Sequence, residues 1–211
     1  YKRQPVVYAD QDGLGSYEKF NTDLYEQDGT VDVDLLFVVD NSGSMMNNQV
    51  NLKNNFSSFM NTFVAAGVSY KIALITTDSH SFVGPVISNS TADPVVEFNN
   101  QIDSIGTGGN VNEAGLWAAH ASTTAGDASV SSSTGFFRPS SRLVVVYVSD
   151  EKDHSSYRNS TMVPYDYVNS LFSLKSSSDL VIAHAIAGDY PSGCTANGGA
   201  EFGSGYYDVV S

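Results

Sequence analysis

A short apolar run that ends abruptly in acidic and hydroxyl side chains constrains this chain more than any other feature. Residues Val33–Val39 read VDLLFVV, a pattern typical of a strand buried on both faces. Residues 40–45 then read DNSGSM, and an amphipathic helical pattern follows. Asp40, Ser42 and Ser44 therefore stand at the carboxyl end of a strand, where open α/β sheets bind ligands. Three hard oxygen donors in this position suit a divalent cation such as Mg²⁺.

Helix capping is the alternative explanation of these three residues, because Asp and Ser accept hydrogen bonds from the first N–H groups of a helix. For an isolated Asp-x-Ser-x-Ser spacing, capping is the better explanation. Two further features favour a metal site. Asp150 follows the apolar run 143–148, so it reaches the same edge of the sheet as Asp40, and the glycine-rich loop 106–110 precedes a helix that starts there.

Apolar runs alternate with helical patterns along most of the chain, which predicts βαβ units. Strands are expected at 34–39, 70–76, 143–148 and 180–186, and helices at 46–66, 95–105, 113–121 and within 157–175. Val86 and Ile87 suit an edge strand or a loop. The predicted fold is a doubly wound, mainly parallel α/β sheet flanked by helices. It occupies residues 31–211, after an irregular lead-in over 1–30 in which 10–15 weakly resemble a calcium-binding loop.

Composition narrows the classes of partner. The chain has 10 basic and 23 acidic residues, a net charge of −13, which argues against nucleic acid and anionic membranes as partners and suits cations. No stretch is long and apolar enough to span a bilayer. Cys194 is the only cysteine, and with low Lys and Arg content this favours a protein outside the cytoplasm: secreted, periplasmic or on the cell surface.

The spacing Asp-x-Ser-x-Ser, together with Asp150 after a later strand, resembles the metal-ion-dependent adhesion site of von Willebrand factor A (VWA) domains. The resemblance covers the chain from about residue 31 onwards. It implies that Ser42 and Ser44 bind a divalent cation (Mg²⁺, Ca²⁺ or Mn²⁺) directly, and that Asp40 and Asp150 act largely through water. A loop threonine normally completes the set in this family.

Here the loop reads Gly108-Gly109-Asn110, so the ungapped match puts Asn110 in the threonine's place. Thr107 is the other candidate if the loop folds differently.

Glu151, Asp153 and His154 follow Asp150 closely. They either tune the site or form a second cation site, although a solvated acidic loop is the favoured explanation. No Gly-x-Ser-x-Gly elbow, His-Glu-x-x-His pair or P-loop is present, so we expect no enzyme. His184 lies in a predicted core strand and is expected to be buried.

The resemblance implies metal-dependent binding of a protein or surface ligand, with a carboxylate of the partner completing the coordination of the cation. The residues around FFRP (136–139) and VSDEKD (148–153) look like those of bacterial exported VWA proteins and lipoproteins. The alternative function is a structural subunit of a surface or envelope assembly, with the cation at an interface. An accessory subunit of an ATP-driven machine is a third, less favoured class.

VWA sheets usually have a sixth strand, and the glycine-rich stretch after Ile186 offers none. Residues 206–210 are expected to begin a short helix. We therefore expect either that the natural protein continues beyond Ser211, or that a second chain supplies the strand and a partner for Cys194.

Overall fold

The structure of the chain is a computed structural model that describes residues 32–123, 135–195 and 199–210. The expected lead-in over 1–30, with its calcium-loop resemblance, lies outside the described residues. So does most of the long loop expected after the third helix.

Five strands form one sheet in the order β3-β2-β1-β4-β5. Strand β3 is antiparallel to β2, and all other neighbours are parallel. The strand bounds are β1 Val33–Val39, β2 Tyr70–Thr76, β3 Ile87–Ser88, β4 Arg142–Val148 and β5 Val181–Ile186. This confirms the predicted fold class, a mainly parallel α/β sheet.

Among the described residues, four α-helices flank the sheet: α1 Met46–Ala65, α2 Pro94–Ile105, α3 Gly115–Thr123 and α4 Pro164–Phe172. Local chemistry explains several of their ends. Helix α2 starts where the Asp93 side chain accepts from the Val96 N–H and Pro94 takes the first position. Helix α1 is followed by its C-cap residue Ala66 and then by Gly67, whose φ of 64° is a conformation that glycine adopts without strain. None of these helices combines the length and apolar character needed to cross a bilayer.

The continuous apolar run of β1 arises because both faces of this central strand are buried. Leu36 and Val38 pack into one hydrophobic cluster with α3 and α4. Leu35, Phe37 and Val39 pack into a second cluster with α1 and α2. Successive side chains of a strand point to opposite faces, so a strand covered by helices on both sides has no polar face.

The register of β1 and β4 brings the predicted site residues together. Val39 pairs with Val148, and the Asp40 N–H donates to the Val148 carbonyl at 2.9 Å. Both strands run in the same direction, so the residues that follow them emerge side by side. Asp40 and Asp150, which are 110 positions apart in sequence, thereby reach one edge of the sheet.

Strand β5 differs from the expectation of a core strand. It is the edge strand of the described sheet, and His184 is exposed rather than buried, because no described helix covers that part of the face next to α1. Ile186 is 57% exposed on the same strand. A groove of about 470 Å³ runs between this surface and α1, where Phe59 and Phe63 line it. Residues 206–209 form hydrogen-bonded turns instead of the expected helix.

Candidate metal site

A chain of side-chain oxygens at the carboxyl end of the sheet joins three of the predicted ligands. Ser42 Oγ and Ser44 Oγ lie 2.9 Å apart, and Ser44 Oγ donates to Asp150 Oδ1 at 3.0 Å. A short 3₁₀ turn, Gly43–Met45, carries the second serine round onto the first. Ser42 and Asp150 are buried while Ser44 is exposed, so the group opens to solvent on one side.

Asp40 is fully buried directly behind these oxygens. Its Oδ1 accepts the Ser42 N–H at 2.7 Å, and its Oδ2 accepts the Ser149 hydroxyl at 2.6 Å. Ser149 was not predicted, although it immediately precedes Asp150. Because both carboxylate oxygens are held by neutral donors, Asp40 keeps a fixed position at the base of the site.

Asp150 closes the side of the site opposite the glycine-rich loop. Its Oδ1 accepts from Ser44 and its Oδ2 accepts from Asn48 Nδ2 at 3.4 Å. Burial raises the pKa of the Asp150 carboxyl, the Ser44 hydrogen bond opposes that effect, and the nearby Asp40 raises it further. A cation between these groups would offset the repulsion between the Asp40 and Asp150 carboxylates.

The glycine-rich loop is fastened to the site by two contacts. Gln49 Nε2 donates both to the Asp40 carbonyl at 3.1 Å and to the Gly106 carbonyl at 2.8 Å. The Gly109 N–H donates to the Asn41 carbonyl at 2.7 Å. A Cβ atom on Gly109 would lie 2.4 Å from the Asn41 side chain, so any other residue here would require that side chain to move.

The two loop residues predicted as the fourth ligand lie in different surroundings. Asn110 is exposed, its N–H donates to Asp78 Oδ2 at 2.7 Å, and its side-chain oxygen accepts from the Asn112 N–H at 3.1 Å. Thr107 is half-buried, and its carbonyl oxygen lies 3.9 Å from where a Cβ of Gly43 would stand. The loop backbone at Thr107 is thus the part that approaches the two serines.

Glu151 and Asp153 have separate roles. The Glu151 N–H donates to Ser149 Oγ at 3.1 Å, and Glu151 lines a cavity of about 420 Å³ together with Ser44 and Asp150. Asp153 instead accepts from the Leu116 N–H at 3.1 Å, near the start of α3. Burial raises the pKa of both carboxyl groups. Glu151 therefore borders the site, while Asp153 holds a helix in place.

Sequence reasoning missed Glu113, an acid near the site that is as fully buried as Asp40. It is fully buried and contacts the Asp40 carboxyl group, and its Oε2 accepts the Thr77 hydroxyl. No hydrogen-bond donor reaches its Oε1. Burial raises its pKa to about 8, with Asp40 and Asp78 raising it further and Thr77 opposing them. An acid that follows a polar loop gives no sequence signal of burial.

The donor set fits a hard divalent cation. It consists of two hydroxyls and two carboxylates, all oxygen ligands, arranged around an opening to solvent. The ion pairs found among the described residues do not include Asp40, Asp150 or Glu113. The described residues also hold no group of three or more His, Cys, Asp or Glu side chains placed to bind a metal, so the serines are essential to the set.

Comparison with known proteins gives only distant similarities. No protein-family model matches the sequence, and no curated protein is recognisably similar to it. Among solved structures, the chain is similar to proximal thread matrix protein 1 from the mussel byssus with a zinc-occupied MIDAS motif: TM-score 0.44, 18% identity, over 76% of this chain and 37% of that one.

It is also similar to the pilus adhesin SpaC of Lactobacillus rhamnosus GG: TM-score 0.41, 14% identity, over 76% of this chain and 28% of that one. The chain thus spans 37% and 28% of these two solved chains. Similarity at this level says nothing about what the chain binds.

Proposed function

We propose that the chain binds a divalent cation, Mg²⁺, Ca²⁺ or Mn²⁺, at Ser42, Ser44, Asp40 and Asp150, and uses it to bind a carboxylate of a protein or surface ligand. The observation that carries the proposal is the linked arrangement of Ser42 Oγ, Ser44 Oγ and Asp150 Oδ1, which opens to solvent above a fully buried Asp40.

The chemistry of the donors explains why the partner group is an anion. Hydroxyl ligands add no negative charge, and a carboxylate that acts through water neutralises a cation less than a direct one does. A cation held in this way keeps part of its positive charge on the exposed side. A carboxylate from a partner supplies both the missing charge and the missing ligand.

In this function the chain is a binding module outside the cytoplasm and not an enzyme. The net charge of −13 repels acidic partners over the rest of the surface, so attraction of a carboxylate depends on the cation. This dependence makes the interaction conditional on the Ca²⁺ or Mg²⁺ that surrounds exported proteins.

The test is a metal titration followed by a binding assay. We expect calorimetry with MgCl₂, CaCl₂ or MnCl₂ to give one saturable site per chain. A surface coated with polyglutamate should then retain the metal-loaded protein and release it with EDTA. NaCl at the same ionic strength is the control for non-specific salt effects. A surface coated with polyserine is the control for adhesion that needs no carboxylate. If no cation binds to the wild-type chain, the proposal is wrong.

A structural subunit is the second candidate, and the exposed side of β5 favours it. Ile186 is 57% exposed there, His184 is exposed beside it, and the groove along α1 lies next to both. A neighbouring chain seated on this surface would cover the edge of the sheet. Cation-dependent self-association in analytical ultracentrifugation, without retention on polyglutamate, would favour this function over adhesion.

A further inference from the structure

A cavity of about 430 Å³ adjoins the candidate cation site on the side of helix α1. Ser149 and Asp150 of the site lie in its lining. Asp150 also lines the cavity that Glu151 borders, so the two cavities meet at Asp150. The volume falls within the range of about 300–1,000 Å³ that is typical of small-ligand sites in proteins. A ligand group that reaches the cation therefore has room beside it for a neighbouring group.

Apolar side chains make up much of the lining of the cavity beside α1. They are Met45, Leu52, Val148, Ile186 and Ala187. Met45 and Val148 are buried, whereas Ile186 is largely exposed at the end of the edge strand β5. Contact between water and apolar surface of this kind is unfavourable, so an aliphatic group that covers it stabilises a complex.

Three asparagines of α1 form the polar part of the same lining. Asn48, Asn51 and Asn55 are spaced at i, i+3 and i+7, so they lie along one face of the helix. Asn48 Nδ2 donates to Asp150 Oδ2 at 3.4 Å, which joins this face to the cation site. Asp150 is the only acidic or basic side chain among the described residues that line this cavity, whereas two glutamates also line the adjoining one. The cavity beside α1 therefore suits a neutral group.

We propose that the cavity beside α1 binds an aliphatic side chain of the partner, next to the acidic residue whose carboxylate binds the cation. This inference rests on the proposed function and specifies its partner as a peptide segment in which an aliphatic residue adjoins a Glu or Asp. The aliphatic side chain covers the exposed surface of Ile186 and Leu52. The asparagine amides both donate and accept hydrogen bonds, so they match the N–H and carbonyl groups of the partner's backbone.

Two peptides with capped ends, Gly-Leu-Glu-Leu-Gly and Gly-Ser-Glu-Ser-Gly, test the inference, because they share one carboxylate and differ only in the side chains beside it. The cation is MgCl₂, CaCl₂ or MnCl₂, whichever binds most tightly in calorimetry. We expect the cation-loaded wild type to bind the leucine peptide about tenfold to a hundredfold more tightly in fluorescence anisotropy, as burial of one aliphatic side chain predicts. EDTA should abolish the binding of both peptides.

Ile186→Ser tests whether the preference arises in this cavity. We expect the variant to lose most of the preference for the leucine peptide while its cation affinity in calorimetry stays that of the wild type. Val96→Ser is the matched control, since Val96 is 52% exposed on α2 and lines neither cavity. It should keep the preference. A folded Ile186→Ser variant with the full preference would contradict the assignment to this cavity.

Equal affinity of the cation-loaded wild type for the two peptides would overturn this inference and leave the proposed function intact, and this comparison needs no variant. Binding of the leucine peptide that EDTA does not weaken would overturn it as well, because the cavity would then act apart from the cation. Equal affinities together with self-association that Ile186→Ser abolishes would assign the cavity to a second copy of the chain. Absence of binding of either peptide to the cation-loaded protein is a different result, and it would refute the proposed function itself.

Discussion

A buried aspartate lies near each end of strand β1: Asp34 within the strand and Asp40 directly after it. The side chains that surround the two carboxylates differ in charge. Asp34 is fully buried and receives Arg138 Nε at 2.7 Å and the Arg138 N–H at 2.8 Å, with Lys175 Nζ 3.6 Å away. Asp40 is equally buried, but its donors are the neutral Ser42 N–H and Ser149 hydroxyl. Its charged neighbour is another acid, Glu113.

The difference distinguishes a structural carboxylate from a binding one. At the amino end of the sheet the protein supplies its own positive charge, so Asp34 is satisfied when the chain folds. At the carboxyl end, Asp40, Asp150 and Glu113 are in none of the ion pairs among the described residues, and a cation bound there would supply the missing positive charge. The predictions below test this contrast.

The largest effect is expected at the amino end. Asp34→Asn leaves the buried Lys175 without its acid and leaves Arg138 paired only with the more exposed Asp32. Breaking a buried ion pair costs about 3–5 kcal/mol of unfolding free energy. Urea denaturation measures this loss. A loss no larger than that of Asp40→Asn would contradict the contrast between the two ends.

At the carboxyl end, the double change Ser42→Ala with Ser44→Ala removes both predicted direct ligands. We expect cation affinity in calorimetry to fall by about a hundredfold, with the far-ultraviolet circular dichroism unchanged. Unchanged cation affinity in a folded double variant would contradict the assignment of Ser42 and Ser44 as ligands.

Asp40→Asn should separate binding from stability. In EDTA we expect its melting temperature to equal or exceed that of the wild type, because one of two contacting acids loses its charge. The rise in melting temperature on adding CaCl₂ should shrink, and retention on polyglutamate should be lost. Loss of binding that occurs only together with loss of the fold would count against the proposal.

The pH dependence of stability should also reveal the lack of a basic partner for the buried acid at the carboxyl end of the sheet. The pKa of Glu113 is raised from 4.5 to about 8, so between these values the folded state holds a proton that the unfolded state releases. Its contribution to stability is therefore present at low pH and is lost as pH rises through about 8. We expect the metal-free wild type to lose stability relative to Glu113→Gln over this range, measured as melting temperatures in EDTA.

Saturating CaCl₂ should reduce that pH dependence, because the cation then supplies the positive charge. If the difference between the wild type and Glu113→Gln does not change with pH, the carboxyl group of Glu113 does not titrate as described.

The smallest effect concerns the fourth ligand from the glycine-rich loop. The ungapped match favoured Asn110, but its side-chain oxygen accepts from the Asn112 N–H, whereas the Thr107 carbonyl lies near Gly43, between the two serines. We expect Thr107→Val to weaken cation affinity more than Asn110→Leu, with both effects below about tenfold. A larger loss for Asn110→Leu would restore the sequence-based choice.

Local sequence patterns were enough to predict the strands and to place the predicted ligands at one edge of the sheet. The apolar runs of β1, β2 and β4 are local patterns, and each structural bound lies within one residue of its prediction. Parallel strands place their carboxyl ends at one edge, so Asp40, the two serines and Asp150 had to meet once those strands were recognised. The spacing of the apolar residues, the order of the elements along the chain and the parallel direction of the strands are enough for this prediction.

Which basic side chains pair with the buried acids depends on contacts between segments that are distant in sequence. The partners of Asp34 lie 104 and 141 positions away in sequence, and nothing local identifies them. Nothing in the sequence around Glu113 signals burial, and His184 was predicted to be a core histidine, yet Glu113 is buried and His184 is exposed. Burial is set by which distant segments cover a residue, and the sequence pattern around that residue does not contain this information.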